Sequence, residues 1–173
     1  IVFCSVMGRV IYLSVDRYDI MHAARNLAQD LKAPTVLSMM RLKRLVKYLL
    51  GTVTVALLHP YQSEKEASRY SAYGDSDWAG DKVTRKSITS GIIFRGKHPL
   101  EFWCTGQQLV SLSSGESEFY AEILGAAEAK WLQQLLRELC FEVPTLLHND
   151  SSAARAIAQT LGPGGIKHMD VKY

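Results

Sequence analysis

The sequence predicts a mixed α/β fold, and three observations carry that prediction. Three β-rich runs lie at about 71–77, 87–94 and 100–104, separated by the turn signals Gly80-Asp81 and Gly96-Lys97-His98-Pro99, which reads as an antiparallel meander. A long helical pattern then runs from Ser113 to about Cys140. A short apolar run at 145–148 and a second helical pattern at 151–161 follow it. The order strand, strand, strand, helix, strand, helix belongs to a mixed sheet covered by helices.

Each element has a local reason. The opening Ile1-Val2-Phe3-Cys4-Ser5-Val6-Met7 is apolar, but Gly8 and Arg9 interrupt it too early for a signal or a membrane span, so it reads as a buried segment. The lack of an initiator methionine and the end at Val171-Lys172-Tyr173 predict a piece of a longer chain. Residues 20–50 have helical periodicity broken at Lys32-Ala33-Pro34, because proline disfavours helix in the residue before it. Two helices result. In the second, Leu42, Leu45, Val46 and Leu49 form an apolar stripe, Arg41, Lys43, Arg44 and Lys47 occupy the remainder, and Gly51 is a stop. Those cations suit a solvated face or a phosphate backbone. Residues 52–58 are β-rich, and 60–69 is polar, charged and linker-like. The expected division is a helical appendage at 1–60, a linker at 61–69 and an α/β domain at 70–173.

Ser113-Ser114-Gly115-Glu116 opens the long helix with a serine cap and an acidic first turn. Glu118 heads a stripe continued by Ala121, Gly125, Ala129, Leu132 and Leu136, small enough to press on a sheet. An inward carboxylate needs a partner, and a metal would be one. Glu116 lies on the neighbouring stripe with Tyr120, Leu124, Ala127 and Trp131, so spacing leaves it open as an alternate. The last helix is capped by Asp150 or Ser151 and ends at Gly162-Pro163-Gly164-Gly165, which lacks the lysine and hydroxyl residue of a phosphate-binding loop.

With 173 residues and 47% hydrophobic content, one ordinary core and a smaller appendage fit. Twenty Lys plus Arg against 17 Asp plus Glu leave a net charge of +3, which permits nucleic-acid binding without demanding it. Cys4, Cys104 and Cys140 are far apart and form no Cys-x-x-Cys pair, which favours a reducing compartment over a disulfide or zinc framework. The chemistry concentrates instead on Asp75, inside Tyr73-Gly74-Asp75-Ser76-Asp77-Trp78, with Glu118 and Asp150. A strand end, a helix and another strand end can converge three oxygen donors, the set that Mg²⁺ takes. With oxygen donors dominant, His148 and His168 read as core or surface histidines, and Trp78 as packing.

In this order the motifs resemble the ribonuclease H (RNase H) domain of copia-type long-terminal-repeat retrotransposon Pol polyproteins, preceded by the tail of the reverse transcriptase. Arg17-Tyr18-Asp19-Ile20 and Arg44-Leu45-Val46-Lys47-Tyr48-Leu49-Leu50-Gly51 are similar to the segment before the domain. Asp75 to Asp81, Arg85-Lys86-Ser87, Trp103 to Gln108, Glu116-Ser117-Glu118-Phe119-Tyr120-Ala121 and Lys167-His168-Met169-Asp170 are similar to the domain itself. Tyr18, Gly115 and Ser151 depart from the usual proline, threonine and asparagine.

The resemblance implies an RNase H-like mixed sheet and hydrolysis of the RNA strand of RNA–DNA hybrids by a metal-dependent endonuclease. Its cofactor would be two Mg²⁺ ions, or Mn²⁺, held by Asp75, Glu118 and Asp150, with Glu116 and Asp170 as alternates. Arg85, Lys86 and Ser87 are candidates for nucleic-acid contacts. The implied partners are the hybrid and the rest of the reverse transcriptase polyprotein, with no membrane, in a cytoplasmic virus-like particle or the nucleus. A further strand and a fourth aspartate are expected beyond Tyr173. The alternative is a catalytically silent module that binds hybrid or supports the polymerase.

Overall fold

The computed structural model describes residues 2–142 and 144–159. The chain divides into two compact units, Ile1–His59 and Pro60–Tyr173. Among the described residues, no helix is long and apolar enough to cross a membrane.

The first unit is helical: α1 (Val2–Leu13), α2 (Met21–Ala28) and α3 (Val36–Gly51), with short 3-10 turns at Tyr18–Ile20 and Gln29–Leu31. The apolar opening is part of α1 and buries Phe3, Met7 and Val10. After the break at Pro34, Thr35 starts α3 with a reciprocal cap: its hydroxyl accepts from the Ser38 amide and the Ser38 hydroxyl accepts from the Thr35 amide, both at 3.1 Å. Leu42 and Leu45 join Phe3, Met7, Ile20 and Leu27 in this unit's own core, while Arg41, Lys43, Arg44 and Lys47 stay exposed. Arg17 forks onto Asp19 at 2.9 and 2.8 Å and also donates to the Thr52 carbonyl. Tyr48 donates to the same Asp19 carboxylate at 2.9 Å, which fastens the end of α3. The β-rich residues 52–58 form no strand; they turn, with Val55 N–H bonded to the Thr52 carbonyl. β-branched residues alone do not make a strand without a partner edge, and Val53 and Val55 are exposed.

The second unit contains β1 (Tyr70–Asp77), β2 (Ile88–Arg95), β3 (His98–Gly106), α4 (Ser114–Glu138), β4 (Thr145–His148) and α5 (Ser152–Gln159). The sheet order is β3-β2-β1-β4, with β1, β2 and β3 antiparallel and β4 parallel to β1. That is an RNase H-like mixed sheet. Gly96, at φ +58°, makes the tight β2–β3 turn, and His98 and Pro99, expected in that turn, begin β3. The Gly162 stop and the Lys167–Asp170 motif lie outside the described residues.

The small-residue stripe of α4 does what its spacing predicts. Ala121 is fully buried against β1, where a Cβ on Gly74 would lie 3.2 Å from the Ala121 carbonyl oxygen. Gly91, opposite Gly74, makes room for the Trp103 indole; a Cβ there would strike the ring and approach the Tyr73 carbonyl oxygen to 2.7 Å. Tyr70, Ala72, Ile93, Ala129 and Leu132 complete the core.

Residues 61–69, expected as a linker, are instead strapped to the β2–β3 hairpin. The Gln62 amide donates to the Arg95 carbonyl at 3.0 Å and accepts from the Lys97 amide at 2.9 Å. Glu66 pairs with Lys97 at 2.6 Å, and Ala67 is buried. Lys97, with the Ser63 amide and hydroxyl, holds the Glu66 carboxyl down at about 2.

Candidate metal centre

The three carboxylates arrive from three elements. Along β1, the covered positions Tyr70, Ala72, Gly74 and Ser76 alternate with Ser71, Tyr73, Asp75 and Asp77, so Asp75 is exposed on the face opposite α4. In the parallel β1–β4 pair, Tyr73 stands beside His148. Asp75 follows two residues later in β1, and Asp150 two residues after His148, just past the end of β4. Glu118, half-buried near the start of α4, comes from the helix side and accepts from the Ser76 hydroxyl at 3.0 Å.

Glu118 is electrostatically burdened. Burial pushes its carboxyl above the usual carboxylate range, the Ser76 hydrogen bond opposes that, and the charges of Asp75 and Asp150 add to the rise. Both aspartates therefore act on Glu118 through space. Its second oxygen, Oε2, is buried with no hydrogen-bond partner, a costly arrangement unless something outside the described chain satisfies it. Among the described residues, no His, Cys, Asp and Glu side chains form a closed group of three or more able to hold a metal ion. Glu118 comes from the helix side and Asp75 from the opposite face of β1. Carboxylate oxygens are the donor type that Mg²⁺ takes, and the orphaned Oε2 of Glu118 is one such donor, but the described residues do not gather three of them into a ligand set.

Glu116 is spent elsewhere. It is fully buried, with Oε2 accepting from the Leu112 amide at 2.7 Å and Oε1 from the Tyr120 hydroxyl at 3.0 Å. With Ser113, whose hydroxyl accepts from the Glu116 amide at 3.1 Å, it closes the N-terminus of α4. Ser151 rather than Asp150 caps α5, its hydroxyl accepting from the Ala154 amide at 3.2 Å. Asp150 is thereby left exposed and outside the cap. Asp170 and His168 lie outside the described residues. Glu101 on β3 also has a buried orphan oxygen, and burial with the charge of Glu128 raises its carboxyl, but it lies across from Ile93, away from the strand end that carries Asp75.

The basic turn divides. Arg85 is exposed at φ 60° and Lys86 half-buried. Ser87 is fully buried, its hydroxyl accepting from the Ala79 amide at 3.1 Å, which takes it away from any phosphate backbone and corrects its expected role. Trp78 is half-exposed, and its indole N–H donates to the Ser111 carbonyl at 3.2 Å. Ser76, which anchors Glu118, and the stacked Tyr73–His148 rings were not singled out from the sequence. Strict alternation through β1 was the available signal for Ser76, since it sets that residue on the helix face once Asp75 is set on the other.

The chain is 30% identical over 98% of its length to the retrovirus-related Pol polyprotein from transposon RE1 of Arabidopsis thaliana, and 29% over 98% to that from transposon RE2. It is also 36% identical over 75% of its length to an uncharacterized mitochondrial protein of Arabidopsis thaliana, covering 52% of that protein. The chain belongs to the copia-type retrovirus-related Pol polyproteins. It spans 12% of the length of the two Arabidopsis polyproteins. No protein-family model and no solved structure matches it.

Proposed function

We propose that the unit from Pro60 onward is the ribonuclease H portion of a copia-type Pol polyprotein, cutting the RNA strand of RNA–DNA hybrids. On the same reading, the helical unit before it belongs to the reverse transcriptase side. The observation that carries the reading is Glu118: one oxygen tied to Ser76, the other buried and unpartnered, in the field of Asp75 and Asp150. A structural glutamate in a helix would resemble Glu116, with both oxygens satisfied.

Asp75, Glu118 and Asp150 would be the residues that hold the Mg²⁺ or Mn²⁺ ions of such an enzyme. Such ions would polarise the scissile phosphate and lower the pKa of a water. The chain's own part is positional. Ser76 fixes Glu118, the Ser113–Glu116 cap fixes the turn of α4 that carries it, and the exposed face bearing Asp75 leaves room for a duplex.

The test is hydrolysis of an end-labelled RNA–DNA hybrid by the 173-residue chain in Mg²⁺, with Mg²⁺ binding followed separately by calorimetry. RNA-strand cleavage that needs Mg²⁺ and is abolished by Asp75→Asn supports the reading. Cleavage unaffected by Asp75→Asn overturns the site, and hybrid binding without cleavage favours the silent module.

A further inference from the structure

On the exposed face of the sheet, two residues before Asp75 and Asp150 along the chain, two rings are stacked. Tyr73 and His148 have centroids 4.5 Å apart and planes 10° apart, and Phe94 meets Tyr73 edge-on at 6.0 Å. The stack lies outside the unit's core: Tyr73 is 44% exposed and His148 is exposed. No hydrogen bond to either side chain occurs among the described residues. Side chains on a strand stand roughly perpendicular to the sheet, so stacked rings present their edges outward, with the phenol hydroxyl and an imidazole nitrogen at the rim. The edge of Phe94 limits the Tyr73 ring on one side. Two residues of strand span roughly 7 Å, about one nucleotide step from Asp75.

We propose that Tyr73 and His148 are positioning residues for the nucleic acid: their ring edges contact a ribose about one nucleotide step from Asp75. A phenol both donates and accepts, as does a ribose 2′-hydroxyl, and a neutral imidazole offers one donor and one acceptor. Stacking fixes both rings before the substrate arrives, which lowers the ordering cost of contact. The pair would thus favour hybrid over DNA duplex. The inference rests on the ribonuclease H reading and adds to it the groups that recognise the RNA sugar.

The experiment measures fluorescence anisotropy of a short fluorescein-labelled RNA–DNA hybrid and of a DNA duplex of the same sequence, with Ca²⁺ replacing Mg²⁺ and the RNA checked intact. Tyr73→Phe and His148→Phe keep the aromatic stack and remove the polar edges. Each should weaken hybrid binding about fivefold, the value of one lost hydrogen bond, and leave DNA binding unchanged; the double variant should erase the preference. Circular dichroism melts that match the unsubstituted chain separate this from unfolding, and Tyr73→Leu serves as the stack-breaking comparison. Hybrid preference retained in the double variant would overturn the pair's role while leaving the ribonuclease reading intact. No hybrid binding by the unsubstituted chain would overturn both.

Discussion

Two polar regions lie within the first two turns of α4, and they are built to opposite rules. One joins Glu116 and Gln107. Gln107 is buried, donating to the Thr89 hydroxyl at 3.0 Å and the Ser117 carbonyl at 2.9 Å and accepting from the Ser111 hydroxyl at 2.8 Å. Glu116 beside it binds the Leu112 amide and the Tyr120 hydroxyl. Two residues on, Glu118 has one partner, a buried oxygen with none, and two like charges acting on it. The first region spends its polarity on holding strands and helix together. The second keeps polarity in reserve, and an incompletely satisfied carboxylate in a fold that satisfies its neighbour marks a place for something else to bind.

The sharpest way to break this contrast is to separate activity from stability. Glu118→Gln should lower hybrid cleavage on the order of a thousandfold, the scale of losing one preorganised charge at a reacting centre, without lowering the melting temperature. If cleavage and melting temperature fall together, Glu118 is structural and the contrast is false.

Gln107→Leu should do the reverse. It strands the Thr89 and Ser111 hydroxyls and the Ser117 carbonyl, and should cost about 3 kcal/mol in urea unfolding. Glu116→Ala should follow at about 2 kcal/mol, from an uncapped Leu112 amide and an unpaired Tyr120 hydroxyl. A loss below roughly 0.5 kcal/mol for either would show that the satisfied region does not hold the fold.

Smaller effects sharpen the picture through pH. Because the folded-state pKa of Glu118 is raised, its favourable contribution is present at low pH and is lost as pH rises through the folded value. Glu118→Gln should therefore stabilise the chain at neutral pH by no more than roughly 1 kcal/mol, allowing for solvent screening, and the gain should vanish on acidification. Glu66 runs the other way: lowered to about 2, its contribution is present above the ordinary carboxylate pKa and is lost as pH falls from there through about 2. Hydrogen exchange at the Lys97 amide, bonded to Gln62 within the same strap, should accelerate over that interval and not above it.

The same contrast shows what the sequence could carry. The meander, the long helix and the four-residue β4 were legible because each announces itself locally: alternation, Gly96 in the turn, Ser113 at the cap, an apolar run closed by Asn149-Asp150. The strap at residues 61–69 was not, because Ser63-Glu64-Lys65-Glu66 has the composition of a solvated linker and its fastening comes from Arg95 and Lys97, far along the chain. Residues 52–58 are the complementary case, with strand composition and no strand to pair with. For the candidate site, the sequence nominates Asp75, Glu118 and Asp150 together, as oxygen donors at a strand end, a helix and another strand end. The choice between Glu118 and Glu116 was not legible, since both stripes face inward and only the partners tell them apart. Ser87 failed for the same reason: a hydroxyl in a basic turn looks available until its bond to the Ala79 amide is seen.

The most direct test is a calorimetric titration of Mg²⁺ into the unsubstituted chain, Glu118→Gln and Glu116→Gln under identical conditions. Glutamine at 116 can still accept from the Leu112 amide and the Tyr120 hydroxyl, so that variant should bind the cation as the unsubstituted chain does. Glutamine at 118 removes the charge from the unsatisfied carboxylate beside Ser76, and its binding isotherm should collapse. Identical isotherms for the unsubstituted chain and Glu118→Gln would contradict the assignment of Glu118 to a metal centre.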